Sequence, residues 1–272
     1  MRKVIVLLLT IMFVMKVNAK EETVIIKGAV GHLKAIILKP EQAENEKMPM
    51  AIICHGFTSH KNDPLLKAVA DSLSQHGIGS IRFDFNGHGE SEGAFQNMTV
   101  LNEIEDAKLV YEYTRELPYV GDIFIVGHSQ GGVVASMVAG ELGEDNIKGE
   151  VLISAAVVLR DNLLQGMVFG STFNPINPPE YVPIFNGLKL GKAYIETGQK
   201  LPILETAKKY TGSAFIIHGT NDNIVPYTYS QRLNDYIRYS RLKMIDGADH
   251  VYSRKQDLLA HYVVDYLLKL CK

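Results

Sequence analysis

Short apolar runs alternate with longer amphipathic stretches along most of this chain, and few folds accept that order. Met50 to Cys54, Gly79 to Phe85, Ile123 to Val126, Glu150 to Ser154, Ala214 to Ile217 and Leu242 to Ile245 are too short for a typical helix and read as strands. Between them Pro64 to Gln75, Val100 to Leu117, Gly132 to Leu142, Tyr227 to Tyr239 and Lys255 to Leu270 read as helices, with Pro64 well placed to start one. Such alternation predicts an α/β fold, a mostly parallel central sheet buried between helix layers. Thr23 to Gly28 and Leu33 to Leu38, separated by Gly31, predict an antiparallel hairpin ahead of it.

One stretch breaks the rhythm. From about Val158 to Glu205 the chain carries Asn174-Pro175, Asn177-Pro178-Pro179, Pro183, Gly187, Gly191 and Pro202, too many turn formers for a long regular element. Long irregular insertions in regular domains are usually lids or binding loops, and Phe169, Phe173, Tyr181, Phe185 and Tyr194 give this one rings to pack over a cleft. At the other extreme of order, residues 1–19 read as an export signal: Arg2-Lys3, an apolar run from Val4 to Met15, and Val17-Asn18-Ala19 before a cut after Ala19. The apolar run is too short to cross a bilayer, so no stable membrane anchor is expected, and the α/β domain spans residues 20–272 of a secreted or periplasmic protein. With 28 Lys+Arg against 30 Asp+Glu and no basic stripe, no nucleic-acid partner is expected. Two cysteines, Cys54 and Cys271, make neither a disulfide framework nor a metal knuckle.

The pattern G-x-S-x-G occurs twice, at Gly127-His128-Ser129-Gln130-Gly131 and at Gly89-Glu90-Ser91-Glu92-Gly93. A nucleophile elbow needs a strand running straight into the turn and a helix leaving it. Ser129 has both, whereas Ser91 sits between two glutamates whose charge opposes an oxyanion, and reads as a loop serine. A serine hydroxyl is a weak nucleophile without a base and a carboxylate that orients the base. Asp222 follows the Ala214 strand and His250 follows the Leu242 strand, both at carboxyl ends where open parallel sheets gather their chemistry. Asp246 and Asp249 compete with Asp222 but rank lower, Asp249 because a neighbour of His250 cannot easily face its ring. The N–H groups of Gln130 and of Phe57, in the tight His55-Gly56-Phe57-Thr58 loop, are the expected oxyanion donors, with His55 bracing that loop and Cys54 a small apolar filler.

Taken together, His55-Gly56-Phe57-Thr58, Gly87-His88-Gly89-Glu90-Ser91, Gly127-His128-Ser129-Gln130-Gly131-Gly132, Gly219-Thr220-Asn221-Asp222 and Asp249-His250 resemble an α/β hydrolase, and more narrowly the bacterial cinnamoyl (feruloyl) esterases. The resemblance implies a lid after the sixth strand of the sheet whose side chains reach the phenolic hydroxyl of the substrate, with Asp161 and Tyr194 as the positional counterparts. It also implies a serine esterase that needs no metal or organic cofactor and whose partner is a small-molecule or saccharide-linked hydroxycinnamate ester. An acylglycerol lipase or short-acyl esterase, and a catalytically silent binding protein of the same fold, are the alternatives.

Overall fold

A computed structural model describes residues 19–40 and 47–271. The predicted leader lies outside the described residues, except that Ala19 opens the first strand opposite Pro40. In chain order the elements are β1 (Ala19–Lys27), β2 (His32–Pro40), β3 (Met48–Cys54), α1 (Pro64–Gln75), β4 (Gly79–Phe83), α2 (Val100–Arg115), β5 (Val120–His128), α3 (Gln130–Leu142) and β6 (Gly149–Ile153). The insertion follows, with α4 (Leu159–Leu164), β7 (Met167–Val168), β8 (Ser171–Thr172), β9 (Tyr181–Pro183), β10 (Lys189–Gly191), α5 (Lys192–Gly198) and α6 (Ile203–Ala207). The chain then returns through β11 (Ser213–Gly219), α7 (Thr228–Tyr236), β12 (Ser240–Ile245) and α8 (Gln256–Leu268).

Eight strands form one sheet in the order β1-β2-β4-β3-β5-β6-β11-β12. The β1–β2 hairpin and the β2–β4 pair are antiparallel, and every other pairing is parallel. The central strands are buried on both faces, which is why Ala51-Ile52-Ile53-Cys54 and Ile123-Phe124-Ile125-Val126 are unbroken apolar runs rather than alternating ones. One face is covered by α1 and α8, whose Leu65, Leu66, Val69, Leu73, Leu259, Val263 and Leu267 pack on Ile53, Phe124 and Ile153. The other is covered chiefly by α2 and α3 through Val100, Ile104, Val110, Val133, Val134 and Val138. Burying one such Leu or Val is worth about 1.5–3 kcal/mol, so these stripes hold the helices to the sheet.

Helix starts follow local chemistry. The Asp63 carboxylate accepts from Leu65 N at 3.0 Å and Leu66 N at 3.4 Å with Pro64 in the first turn, and Thr99 Oγ1 accepts from Asn102 N at 3.1 Å at the head of α2. Several boundaries depart from expectation: β1 opens at Ala19 rather than Thr23, β5 at Val120 rather than Ile123, and α7 ends at Tyr236 rather than Tyr239. Helix α3 begins at Gln130 rather than Gly132 and so takes in Gly131 and Gly132, which stand where a Cβ would collide with Cys54, His55 and Ala155. Close packing, not helix propensity, selects glycine there. The insertion between β6 and β11 is built from short helices and two small hairpins, as its turn formers require.

Candidate active site

Strand β5 delivers Ser129 into a turn at φ 56° and ψ −120°, a conformation that costs a non-glycine residue of order 1–3 kcal/mol. The surroundings hold it there. Ser129 N donates to Ile153 O at 2.9 Å, and Ser129 O accepts from Gly132 N at 3.0 Å and Ala156 N at 2.9 Å. A Cβ on Gly131 would strike the carbonyl oxygens of Cys54 and His55, and one on Gly127 would strike that of Gly131, so the glycines permit α3 to sit tight on β3 and β5.

The loops after β11 and β12 bring the other two groups to the serine. His250 Nε2 is 2.9 Å from Ser129 Oγ, and His250 Nδ1 is 2.7 Å from Asp222 Oδ2. Asp222 is buried, its Oδ1 accepting from Ile224 N and Val225 N at 2.9 Å each and its Oδ2 lying 3.1 Å from His218 Nε2. Burial opposes its ionisation, but the bonds from His218, His250 and Val225 prevail and hold the carboxyl well below the usual carboxylate range. An ionised Asp222 fixes Nδ1 of His250 as the protonated nitrogen and leaves Nε2 free to take a proton from Ser129. Asp249 instead accepts from Ser253 N at 2.8 Å, and Asp246 accepts from Thr220 Oγ1 at 3.2 Å, so neither competitor orients His250.

Two histidines to which the sequence reading gives no role complete this arrangement. His218, at the end of β11, accepts at Nδ1 from Ser230 Oγ at 2.6 Å and donates at Nε2 toward Val225 O and Asp222. His128 donates its Nε2–H to His250 O at 2.8 Å, and burial together with the nearby His250 ring lowers its pKa to about 4, so it is neutral near pH 7. The His128–His250 bond is long-range, which no local spacing reveals, whereas His218 meets Asp222 only four residues on, through the turn of the loop after β11.

The two N–H groups expected as oxyanion donors belong to backbone that lies against Ser129. Gln130 N stands at the first position of α3, where no intrahelical acceptor exists, and Phe57 N follows Gly56, whose backbone comes so close that an added Cβ would lie 3.2 Å from Ser129 Cβ. Neither N–H donates to a backbone carbonyl among the described residues. His55 braces the loop as expected: Nε2 accepts from Phe85 N at 3.1 Å and Nδ1 donates to Gly56 O at 2.8 Å. Ser91 Oγ donates to Asp84 O at 2.6 Å and accepts from Lys34 N at 2.9 Å, as a structural loop serine.

Ser129 lies where two clefts meet. One, of about 410 Å³, runs under the insertion and is lined largely by Phe57, Leu159, Leu163, Val168, Phe169, Phe185 and Tyr194, with Gln130, Asn162 and Asn223 as polar exceptions beside Ser129. The Phe57 and Phe169 rings stack in it at 4.1 Å between centroids. The other, of about 340 Å³, is polar and carries Thr58, Ser59, His60, Asp63, His128 and His250. Tyr194 lines the first cleft, but its hydroxyl already donates to Gln130 Oε1 at 2.7 Å. Asp161 corrects the sequence expectation. Its carboxylate turns away to accept from the Tyr229 hydroxyl at 2.9 Å and to face Arg232 at 3.5 Å, in a separate depression. One position along a helix rotates a side chain by about 100°, and it is Asn162, not Asp161, that α4 presents to the cleft.

An elbow serine at the carboxyl edge of a mostly parallel sheet, with a histidine and a buried aspartate in line behind it, defines a serine hydrolase of the α/β class. Residues 46–177 match the family described as serine aminopeptidase, S33. The ferulic acid-bound Est1E of Butyrivibrio proteoclasticus superposes with a TM-score of 0.87 at 30% identity, covering 91% of this chain and 98% of that one. Human ABHD12B is 26% identical over 84% of this chain, which spans 63% of its length. The bovine mitochondrial palmitoyl-protein thioesterase ABHD10 is 23% identical over 82% of this chain and 74% of its own. The chain belongs to the α/β hydrolases and resembles the cinnamoyl esterases among them.

Proposed function

We propose that the chain is an exported serine esterase that releases hydroxycinnamates from their esters through an acyl-enzyme on Ser129. The observation that carries this reading is the meeting of two unlike clefts at one activated hydroxyl. Ser129 Oγ attacks the ester carbonyl as His250 Nε2 takes its proton, with Asp222 stabilising the imidazolium. The oxyanion sits between the Phe57 and Gln130 N–H groups. His250 then returns the proton to the leaving alkoxide, so the alcohol must occupy the cleft that His250 lines, and the acyl group the other. Water enters by the same polar side, His250 again acts as base, and the acid leaves.

The acyl cleft then offers stacked rings for a flat aromatic acyl group and Asn162 and Asn223 for its phenolic hydroxyl, while hydroxyl and carboxylate groups face the alcohol. A saccharide alcohol suits that polarity. The bound ferulic acid of Est1E supports the same assignment by likeness. The aliphatic residues Leu159, Leu163, Val158, Val168 and Ile224 favour a second reading, in which the acyl group is a fatty chain. The ratio of kcat/KM for methyl ferulate to that for an aliphatic ester of equal length separates them. A ratio above one is expected, and a clear preference for the aliphatic ester would replace the first reading with the second.

A further inference from the structure

Glu103 lies in the first turn of α2, sealed from solvent, and the hydrolysis set out above gives it no task. Its Oε2 accepts from Gln130 Nε2 at 2.8 Å, and Gln130 Oε1 accepts from the Tyr194 hydroxyl at 2.7 Å. The Gln130 carboxamide is therefore held at both ends. Its backbone N–H is one of the two donors beside Ser129, and the Tyr194 ring lines the acyl cleft. Three elements, α2, α3 and α5, are tied together behind the nucleophile by one line of hydrogen bonds.

We propose that Glu103 is a positioning residue for ester hydrolysis: through the Gln130 side chain it sets an oxyanion donor and the Tyr194 wall of the acyl cleft. The proposal rests on Ser129 being the nucleophile. The ionisable groups facing Glu103 are Asp106 on its own helix, the Cys54 thiol at the end of β3 and the Tyr194 hydroxyl on α5, and none of them is a cation. Burial, against the bond from Gln130 and with Asp106 assisting, pushes the Glu103 carboxyl up to about 8. Burial also raises Cys54 and Tyr194, and raises Asp106 to about 6, so Glu103 is the member of this set that titrates in mildly alkaline solution.

The neutral acid can accept from Gln130 without placing a charge behind the oxyanion donor. The carboxylate accepts the same bond but sets a buried negative charge against the one that develops on the reacting carbonyl oxygen. Turnover should therefore fall as Glu103 loses its proton.

Labelling of Ser129 by a fluorophosphonate, followed by intact mass, requires the same activated hydroxyl and the same donors but no knowledge of the substrate. Between about pH 7 and about pH 9.5 the wild-type labelling rate should fall about tenfold or more, and that of Glu103→Gln, which keeps an acceptor but cannot ionise, about twofold or less. Gln130→Met keeps the backbone N–H, releases both partners and should label about tenfold more slowly at neutral pH. A Glu103→Gln profile that overlays the wild type, or a Gln130→Met rate equal to wild type, overturns the proposal. Should Glu103→Gln fail to fold, the wild-type profile and Gln130→Met still decide. Absence of any label on wild-type Ser129 would instead overturn the nucleophile assignment, and the role of Glu103 with it.

Discussion

His128 donates its ring Nε2–H to the main-chain carbonyl of His250, 2.8 Å away. The residue before the elbow serine thus holds the backbone of the loop that carries the base. Strand β5 and the loop after β12 do not pair in the sheet, since β6 and β11 stand between them, and this bond links them across that gap. Removing it in His128→Leu should lower kcat/KM about tenfold, the worth of roughly 1–1.5 kcal/mol of a buried hydrogen bond, chiefly in kcat. An unchanged kcat would mean that the loop finds its place without it.

Asp222→Asn removes the charge that keeps His250 in its working tautomer. An amide nitrogen turned toward His218 and His250 would also face two donors. Kinetics on any good substrate should show kcat reduced by about 10³–10⁴ with KM little changed. Because the Asp222 carboxyl is held well below the usual range, an acid limb in the wild-type activity profile should not be its titration. Its depressed pKa contributes stability that is present above the unfolded value near ~4 and lost as pH falls toward the folded one.

Glu150 should act in the opposite sense. It lies in β6 with both carboxyl oxygens buried and without hydrogen-bond partners among the described residues, and burial raises its pKa well above the ordinary value. Above pH ~4.3 the unfolded chain releases this proton and the folded one keeps it. Each further pH unit then costs the native state about 1.4 kcal/mol until the folded carboxyl ionises too. Glu150→Met should therefore raise Tm more at pH 7 than at pH 5, and an equal shift at both would refute the linkage.

Asn162 is the polar residue that α4 presents to the acyl cleft, between Leu159 and Leu163. If it bonds the phenolic hydroxyl, Asn162→Ala should cut kcat/KM for ferulate or caffeate esters by about 1–2 kcal/mol, roughly five- to thirtyfold, and spare a short aliphatic ester. Asp161→Ala, which disturbs only Tyr229 and Arg232, should not discriminate between the two. Equal losses on both esters in Asn162→Ala would assign Asn162 to the support of the cleft.

The strands, the long helices and the Ser129, Asp222 and His250 set were legible because each leaves a local mark: an apolar run, a capped amphipathic stretch, or a polar residue just past a strand. The same local ground separates the Ser129 elbow from Ser91, and the structure gives Ser91 a bonding role in its loop. Most of what escaped has no local mark. His128 and Glu103 act through partners brought together by the sheet and its crossovers, His128 with His250 and Glu103 with Gln130, whereas His218 meets Asp222 four residues on, through a turn that spacing alone does not specify. Asp161 failed for a finer reason. Position along the chain singled out Asp161 in the insertion, but only the packing of α4 on the core decides which of two adjacent side chains, Asp161 or Asn162, looks into the cleft.

Mass analysis of acid-quenched enzyme during turnover of 4-nitrophenyl ferulate tests the central claim most directly. One feruloyl adduct should form and map to Ser129, persist in Ser91→Ala, accumulate when deacylation is slowed, and vanish in Ser129→Ala. Turnover with an adduct on any other residue, or undiminished turnover in Ser129→Ala, would contradict it.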